Sequence, residues 1–214
     1  RAKKKLKKKK ILAILIFSKT FALDFYKSYF LNKIKQKSLI DAKIAITKDF
    51  FTKNKKTKYI TNHLSRKRTH YLRSTYDCII SSSKSINDDN SMLDCRIKGL
   101  EHKSPDLIIL DRSLKLKKNL RLLKKKTKRK IYLVTTCNKN KKLEFFKKKG
   151  IKIINLNSLN CRKDYLFFFN HLHKLGFSRI FIETGLSFLN YLINNNFVNN
   201  IYIFKSNDKI KQSG

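Results

Sequence analysis

The chain has 214 residues, enough for one domain with a sizeable core, and its 41% hydrophobic content excludes an intrinsically disordered chain. Against 14 Asp+Glu stand 52 Lys+Arg, a formal charge of +38. That balance fits a nucleic-acid or anionic-membrane binder, or the lysine surplus of AT-rich coding, and under either reading the surface attracts a phosphorylated substrate.

Residues 3–10 are basic and 11–17 apolar, which mimics a signal peptide. The apolar run is too short to span a bilayer and no A-x-A site follows, so residues 6–17 are expected to be a helix tail and a buried strand. The apolar spacing over residues 22–34 suits a helix face, residues 40–47 read as a strand, and 51–58 as a Lys-rich loop. Thr61 is the expected N-cap of a helix that runs to Arg73. Residues 77–82 form a buried strand that opens into a polar loop over 83–96, rich in Asn, Asp and Ser. A strand at 107–110 leads into a basic stretch, 112–130. Strands at 131–135, 151–156, 179–182 and 201–204 then alternate with helices at 141–149, 161–175 and 186–193, the first two helices closed by Gly150 and Gly176. Alternation of this kind predicts an α/β fold with a mainly parallel sheet, whose ligands bind outside the carboxyl ends of the strands.

Several residues at that edge carry chemistry, each with a plainer alternative. Lys43 lies in a strand otherwise built of Ala and Ile, so it is either solvent-facing or buried for a purpose. Arg73 and Arg96 flank the 77–82 strand and its loop; they are surface arginines or anion contacts. Asp89 caps a turn or faces a ligand. Glu183, Thr184 and Gly185 join a strand to a helix, whose N-terminus suits a phosphate; the alternative is an ordinary strand-to-helix turn. Cys78, Cys95, Cys137 and Cys161 form no CxxC pair, and the five His fall in no HxE or HExxH motif, so no metal site is expected and the thiols are read as reduced, in a cytoplasmic protein. The 42 Lys are spread along the chain and outnumber 10 Arg. A protein selected to grip phosphates favours the planar Arg fork, so coding bias is preferred over dedicated nucleic-acid binding.

In order and spacing, the runs 43–49 (Lys-Ile-Ala-Ile-Thr-Lys-Asp), 59–62 (Tyr-Ile-Thr-Asn), 72–73, 77–80 (Asp-Cys-Ile-Ile), 85–96, 106–112 and 181–185 (Phe-Ile-Glu-Thr-Gly) resemble the C-terminal reductase domain of the bifunctional riboflavin biosynthesis deaminase/reductase family. The resemblance covers residue 40 to about 204. It implies a dihydrofolate-reductase-like three-layer α/β fold with a mainly parallel central sheet. It further implies that residues 1–38 are the tail of a deaminase domain plus linker, that 39–214 are the reductase domain, and that the family's last sheet strands lie beyond Gly214. The reaction implied is NADPH-dependent reduction of 5-amino-6-(5-phosphoribosylamino)uracil: the ribosyl ring opens, hydride reaches C1, and the ribitylamino product forms.

Carried over by position, Thr57, Arg73, Leu93, Arg96 and Glu183 match substrate contacts. Ala45, Tyr59, Ser85, Asp89, Arg112, Gly185, Leu186, Ser187, Phe188, Leu189, Asn190 and Tyr191 match positions that contact NADPH. Lys43, Asp89 and Glu183 are the candidates for the proton that opens the ring. The partners implied are a phosphorylated pyrimidine and a second copy in a homodimer, without a membrane. The chain departs from the family pattern at four places. Thr47-Lys48-Asp49-Phe50 stands where Ser-Leu-Asp-Gly is usual, Tyr59 where Trp is common, Asn90 and Ser91 for an Asp and a Pro, and Leu186 for a Gly or Pro. The competing functions are a basic nucleic-acid-binding protein and a degenerate, non-catalytic reductase-fold module.

Overall fold

A computed structural model describes residues 26–52, 59–124, 127–138 and 141–209. The expected elements at 6–17, and Thr57, lie outside these residues.

Among the described residues seven strands form one sheet: β1 (Leu39–Ile46), β2 (Cys78–Ser82), β3 (Asp106–Leu110), β4 (Ile131–Thr135), β5 (Lys152–Asn155), β6 (Arg179–Ile182) and β7 (Asn200–Lys205). Their spatial order is β5-β4-β3-β2-β6-β1-β7, and every pairing is parallel. Parallel strands need crossovers, and here helices supply them: α1 (Lys27–Lys35) ahead of the sheet, then α2 (His63–Arg73), α3 (Ser83–Asp89), α4 (Arg121–Lys124), α5 (Lys141–Lys148), α6 (Arg162–Lys174) and α7 (Leu186–Asn194).

Both faces of the sheet are covered, so its inner strands are apolar throughout. The pleat divides their side chains between two cores. On one face Ile80, Ile108, Val134, Ile180 and Ile182 pack against Phe168, Leu172, Leu189 and Leu192 of α6 and α7. On the other, Ile79, Leu107, Ile109, Leu133 and Phe181 pack against Leu72, Tyr76, Ile86 and Phe146. Asp41 is buried in the second layer, where it accepts hydrogen bonds from Tyr76 Oη and Asn200 Nδ2, each at 2.7 Å, and so ties the edge strand β7 to β1. Burial pushes the Asp41 carboxyl above its ordinary range, against the pull of those two donors.

Three expectations change. The segment after β2 is helical, not loop: Ser82 Oγ accepts from the Ser85 amide and Ile86 drops into the core, so seven polar-looking residues close two turns. Asn62, not Thr61, caps α2, with Oδ1 accepting from the Ser65 amide at 2.9 Å. The basic stretch 112–130 hides an apolar series: Leu114, Leu116, Leu120 and Leu122 are buried beneath its lysines. The buried Asp111 carboxylate organises this return, accepting from Ser83 Oγ and from the Lys115 and Leu116 amides at 2.7–2.8 Å. No helix among the described residues is long and apolar enough to cross a membrane.

Phe168 is fully buried where α6 meets the sheet. Phe168→Ala is expected to cost about 3–5 kcal/mol in chemical denaturation; a loss below about 1 kcal/mol would mean that the α6 core is not packed as described.

Candidate active site

The parallel topology brings the ends of β1, β2 and β6 to one edge. Ala42 pairs with Ile182, and Ile80 with Ile182, so the next residue on each strand lines up as Lys43, Glu183 and Ser81. Lys43 and Glu183 share the face that α2 covers, and α2 ends in Arg73. The Arg73 guanidinium grips Glu183 in two parallel bonds, Nε to Oε1 at 2.6 Å and Nη2 to Oε2 at 2.9 Å. Both side chains are nearly buried, 12% and 9% exposed.

The remaining Arg73 nitrogen, Nη1, donates to the Asp94 carbonyl at 2.9 Å. His70, one turn earlier on α2, also places Nδ1 2.9 Å from that carbonyl. A carbonyl only accepts, so Nδ1 carries the proton and the 3.4 Å approach of Arg73 Nη1 to it is a contact, not a bond.

Electrostatics follow from this packing. Burial alone would raise the Glu183 pKa; the Arg73 charge and hydrogen bonds, with Lys43 beyond, hold it below the ordinary glutamate range. Burial pulls the Lys43 ammonium below its ordinary range, opposed by Glu183 and helped by Arg73. Lys43 Nζ lies 5.6 Å from the Phe204 ring centre. The result is an ionised carboxylate beside a lysine made a better proton donor, in a half-buried setting.

The turn from β6 into α7 lies next to this cluster. Gly185 is the N-cap of α7 and offers no side-chain acceptor; the helical ladder begins with Leu189 N–H on the Gly185 carbonyl, so the amides of Leu186, Ser187 and Phe188 have no intrahelical partner. Ser85 Oγ takes the Gly185 amide at 3.1 Å and thereby fixes the turn against α3. A Cβ on Gly185 would sit 3.6 Å from that hydroxyl. Thr184 Oγ1 is buried without a hydrogen-bond partner, as is Tyr191 Oη further along α7. A donor-only helix mouth with an unsatisfied hydroxyl fits an anionic cofactor group.

Other anticipated residues divide. Leu93 is buried and left-handed (φ +51°) just ahead of Asp94; Arg96, 51% exposed, pairs with Asp94 Oδ1 at 2.7 Å. Arg112 is exposed past β3 and donates to the Leu159 carbonyl and Asn160 Oδ1, tying that edge to the approach to α6. Asp89 is exposed at the end of α3 and is not among the main charges acting on Lys43 or Glu183. Tyr59 is exposed under the Arg66 guanidinium, while Ala45 lies on the Lys43 face opposite Phe204. Of the α7 residues, Leu186, Ser187 and Asn190 are exposed; Phe188 and Tyr191 pack on Tyr165, and Leu189 belongs to the core. His70 and Asp94 were not anticipated; the spacing of His70 three residues before Arg73 on a helix was the available signal. No group of three His, Cys, Asp or Glu among the described residues is arranged to hold a metal.

The turn after β1 survives without its expected glycine. Phe50 adopts φ +67°, and Thr47 braces it, its carbonyl accepting from the Phe50 amide and its hydroxyl from the Phe51 amide while donating to Asp49.

A seven-stranded parallel sheet covered on both faces, with a site at the ends of β1, β2 and β6, places this molecule among dihydrofolate-reductase-like domains. A family model described as the RibD C-terminal domain matches residues 40–206, and the chain belongs to that family. No curated protein sequence matches it significantly. Among solved structures, it is similar to the diaminohydroxyphosphoribosylaminopyrimidine deaminase/5-amino-6-(5-phosphoribosylamino)uracil reductase of Thermotoga maritima, with TM-score 0.78 and 17% identity over 100% of this chain and 57% of that one. RibD of Acinetobacter baumannii gives 0.76 and 15%, over 97% and 56%. The riboflavin biosynthesis reductase Rib7 of Saccharomyces cerevisiae gives 0.66 and 20%, over 90% and 85%. At such identities the likeness concerns the fold. The chain spans a little over half the length of the first two.

Arg73→Ala strands a buried carboxylate and is expected to destabilise by about 3–5 kcal/mol. Because the Glu183 pKa is depressed in the folded state, its contribution is present above the unfolded value and lost as pH falls through the folded one. Denaturation curves should therefore show wild type losing more stability than Glu183→Gln between about pH 5 and pH 3; equal losses would exclude the pairing. Phe50→Gly relieves a left-handed side chain, worth about 1–2 kcal/mol, against a glycine entropy cost of about 0.5–1 kcal/mol. The melting temperature should rise slightly, and a fall would show that the Lys205–Phe50 contact at 4.8 Å outweighs the strain.

Proposed function

We propose that this chain is an NADPH-dependent reductase of riboflavin biosynthesis, converting 5-amino-6-(5-phosphoribosylamino)uracil into its phosphoribitylamino product. The observation that carries the reading is the Lys43–Glu183–Arg73 cluster set against the bare N-terminus of α7. The family and the named activities of similar structures support it.

Residues 39–214 form the reductase unit in this reading. Leu186, Ser187 and Phe188 hold a cofactor phosphate through their amides, Gly185 lets it approach the backbone closely, and Thr184 Oγ1 donates to it. Ser85 keeps that turn in place, and Arg112, Asp89, Tyr59 and Ala45 border the rest of the cofactor. NADPH, when bound, supplies the hydride. Lys43, whose proton is loosened by burial, donates to the ribosyl ring oxygen as the ring opens at C1. Glu183, ionised at neutral pH, accepts hydrogen bonds from the sugar. Arg73 has its fork committed to Glu183 and is a positioning residue. The 5-phosphate falls to the more exposed Arg96, whose ion pair with Asp94 is exchangeable. Four free cysteines suit a reducing, cytoplasmic setting.

The test is loss of NADPH absorbance on adding the phosphoribosylaminouracil to the chain. Turnover is expected, and Glu183→Gln or Lys43→Gln should each lower kcat by about 10²-fold or more while NADPH binding persists. Substrate-independent or absent oxidation by wild type would overturn the proposal, leaving a non-catalytic module, a reading to which the glycine-free turn at Phe50 lends itself.

A further inference from the structure

Residues 91–105 leave the end of α3 and return to β3 with a single 3₁₀ turn, Glu101–Lys103, as regular structure. Within them Leu93 holds a left-handed backbone, a conformation that costs a branched side chain about 1–2 kcal/mol. Something must over-determine it.

Arg129, just ahead of β4, does so. Its Nη1 donates to the Leu93 carbonyl at 2.7 Å and to the Pro105 carbonyl at 3.2 Å, and its Nη2 donates to the Met92 carbonyl. Nε is buried with no partner. Among the described residues no carboxylate stands within ion-pairing distance of it; Asp94 and Asp106 act on it only through space, and burial draws the guanidinium pKa down to about 10. A cation placed in a dry environment without a counter-ion is expensive. Its donors nevertheless converge on both ends of one segment, which is the action of a backbone clamp. The planar fork makes that possible, and an ammonium cannot reproduce it. The next carbonyl along, that of Asp94, receives Arg73 and His70, so the clamped segment abuts the Arg73–Glu183 pair.

We propose that Arg129 is a positioning residue for the sugar-phosphate end of a phosphorylated pyrimidine substrate, fixing the 92–96 segment so that Leu93 and Arg96 meet it. The inference rests on the reductase reading for the identity of the substrate, but not for the clamp. Arg129 touches neither substrate nor cofactor; its effect is on substrate affinity.

Steady-state kinetics on the chain test this with Arg129→Met, which keeps bulk, and Arg129→Lys, which keeps charge. Both should raise KM for the phosphoribosylaminouracil by about tenfold or more, with KM for NADPH within roughly twofold of wild type. Added guanidinium ion should restore part of the loss in Arg129→Ala, and ammonium should not. Hydrogen exchange gives a readout independent of turnover: the 92–96 amides should exchange at least about tenfold faster in Arg129→Lys, with β2 and β3 unchanged. If wild type shows no turnover, the reductase reading fails and exchange alone decides the clamp. Unchanged exchange overturns the clamp. Accelerated exchange with both KM values unchanged, or rising in step, overturns its role toward substrate. Should the Met variant fail to fold, the Lys variant carries the same comparison.

Discussion

One carboxylate in a dry place governs the architecture of the site. Glu183 emerges from β6 into a layer where an isolated charge would neutralise itself or unfold its surroundings. Arg73 makes the position tenable by matching the carboxylate with two parallel bonds. Such a pair adds little net stability compared with apolar residues of the same volume, because desolvation of both ions offsets their attraction. Its value lies in geometry and charge state. It fixes the end of α2 against β6, keeps Glu183 ionised, and through the Asp94 carbonyl sets the height of the 92–96 segment over the sheet. Lys43, one strand away, then sits in a field that a solvent-exposed lysine would never feel.

Topology explains why these groups meet. Right-handed crossovers place every β-to-α turn of a parallel sheet on one edge. β1, β6 and β2 are neighbours in space though they are separated in sequence by crossovers and by three further strands. The polar residues at their ends therefore converge without long loops. Asp111 and Ser85 secure the edge from below: the former gathers α3 and the 112–116 return, and the latter pins the α7 mouth to α3.

Much of this was legible in the chain, because central parallel strands are buried on both faces and appear as short, mainly apolar runs rather than as an alternation. The 77–82, 107–110, 131–135 and 179–182 runs match β2, β3, β4 and β6 to within a residue. α3 was not legible: only Ser83 and Ile86 are buried in it, and its helical signal is a serine cap amid residues that favour turns. The leucines of 112–130 were masked by the lysines between them. Lys43 posed a choice between solvent and burial that pattern alone leaves open; the structure places it half-buried, on the face it shares with Glu183. Arg73 was read as either a surface residue or an anion contact; it is nearly buried, and the anion it holds in the structure is the internal Glu183 carboxylate. Arg129 had no sequence signal at all, because its partners are main-chain carbonyls, which every residue possesses.

The same contrast bears on the origin of the +38 charge. Nearly all the described lysines lie at the surface, where any cation is tolerated and where coding bias meets little resistance. Three of the scarce arginines behave differently. Arg73 and Arg129 use the fork for multiple directed bonds in buried settings, and Arg179 stands over the Tyr76 ring, 5.1 Å from its centre. Lysine offers a point charge that pays more for dehydration and cannot span two acceptors in one plane. A drift toward lysine would therefore leave arginine where planarity is structural and replace it where only charge is needed. On that account Arg73 and Arg129 stand where such a drift would meet resistance.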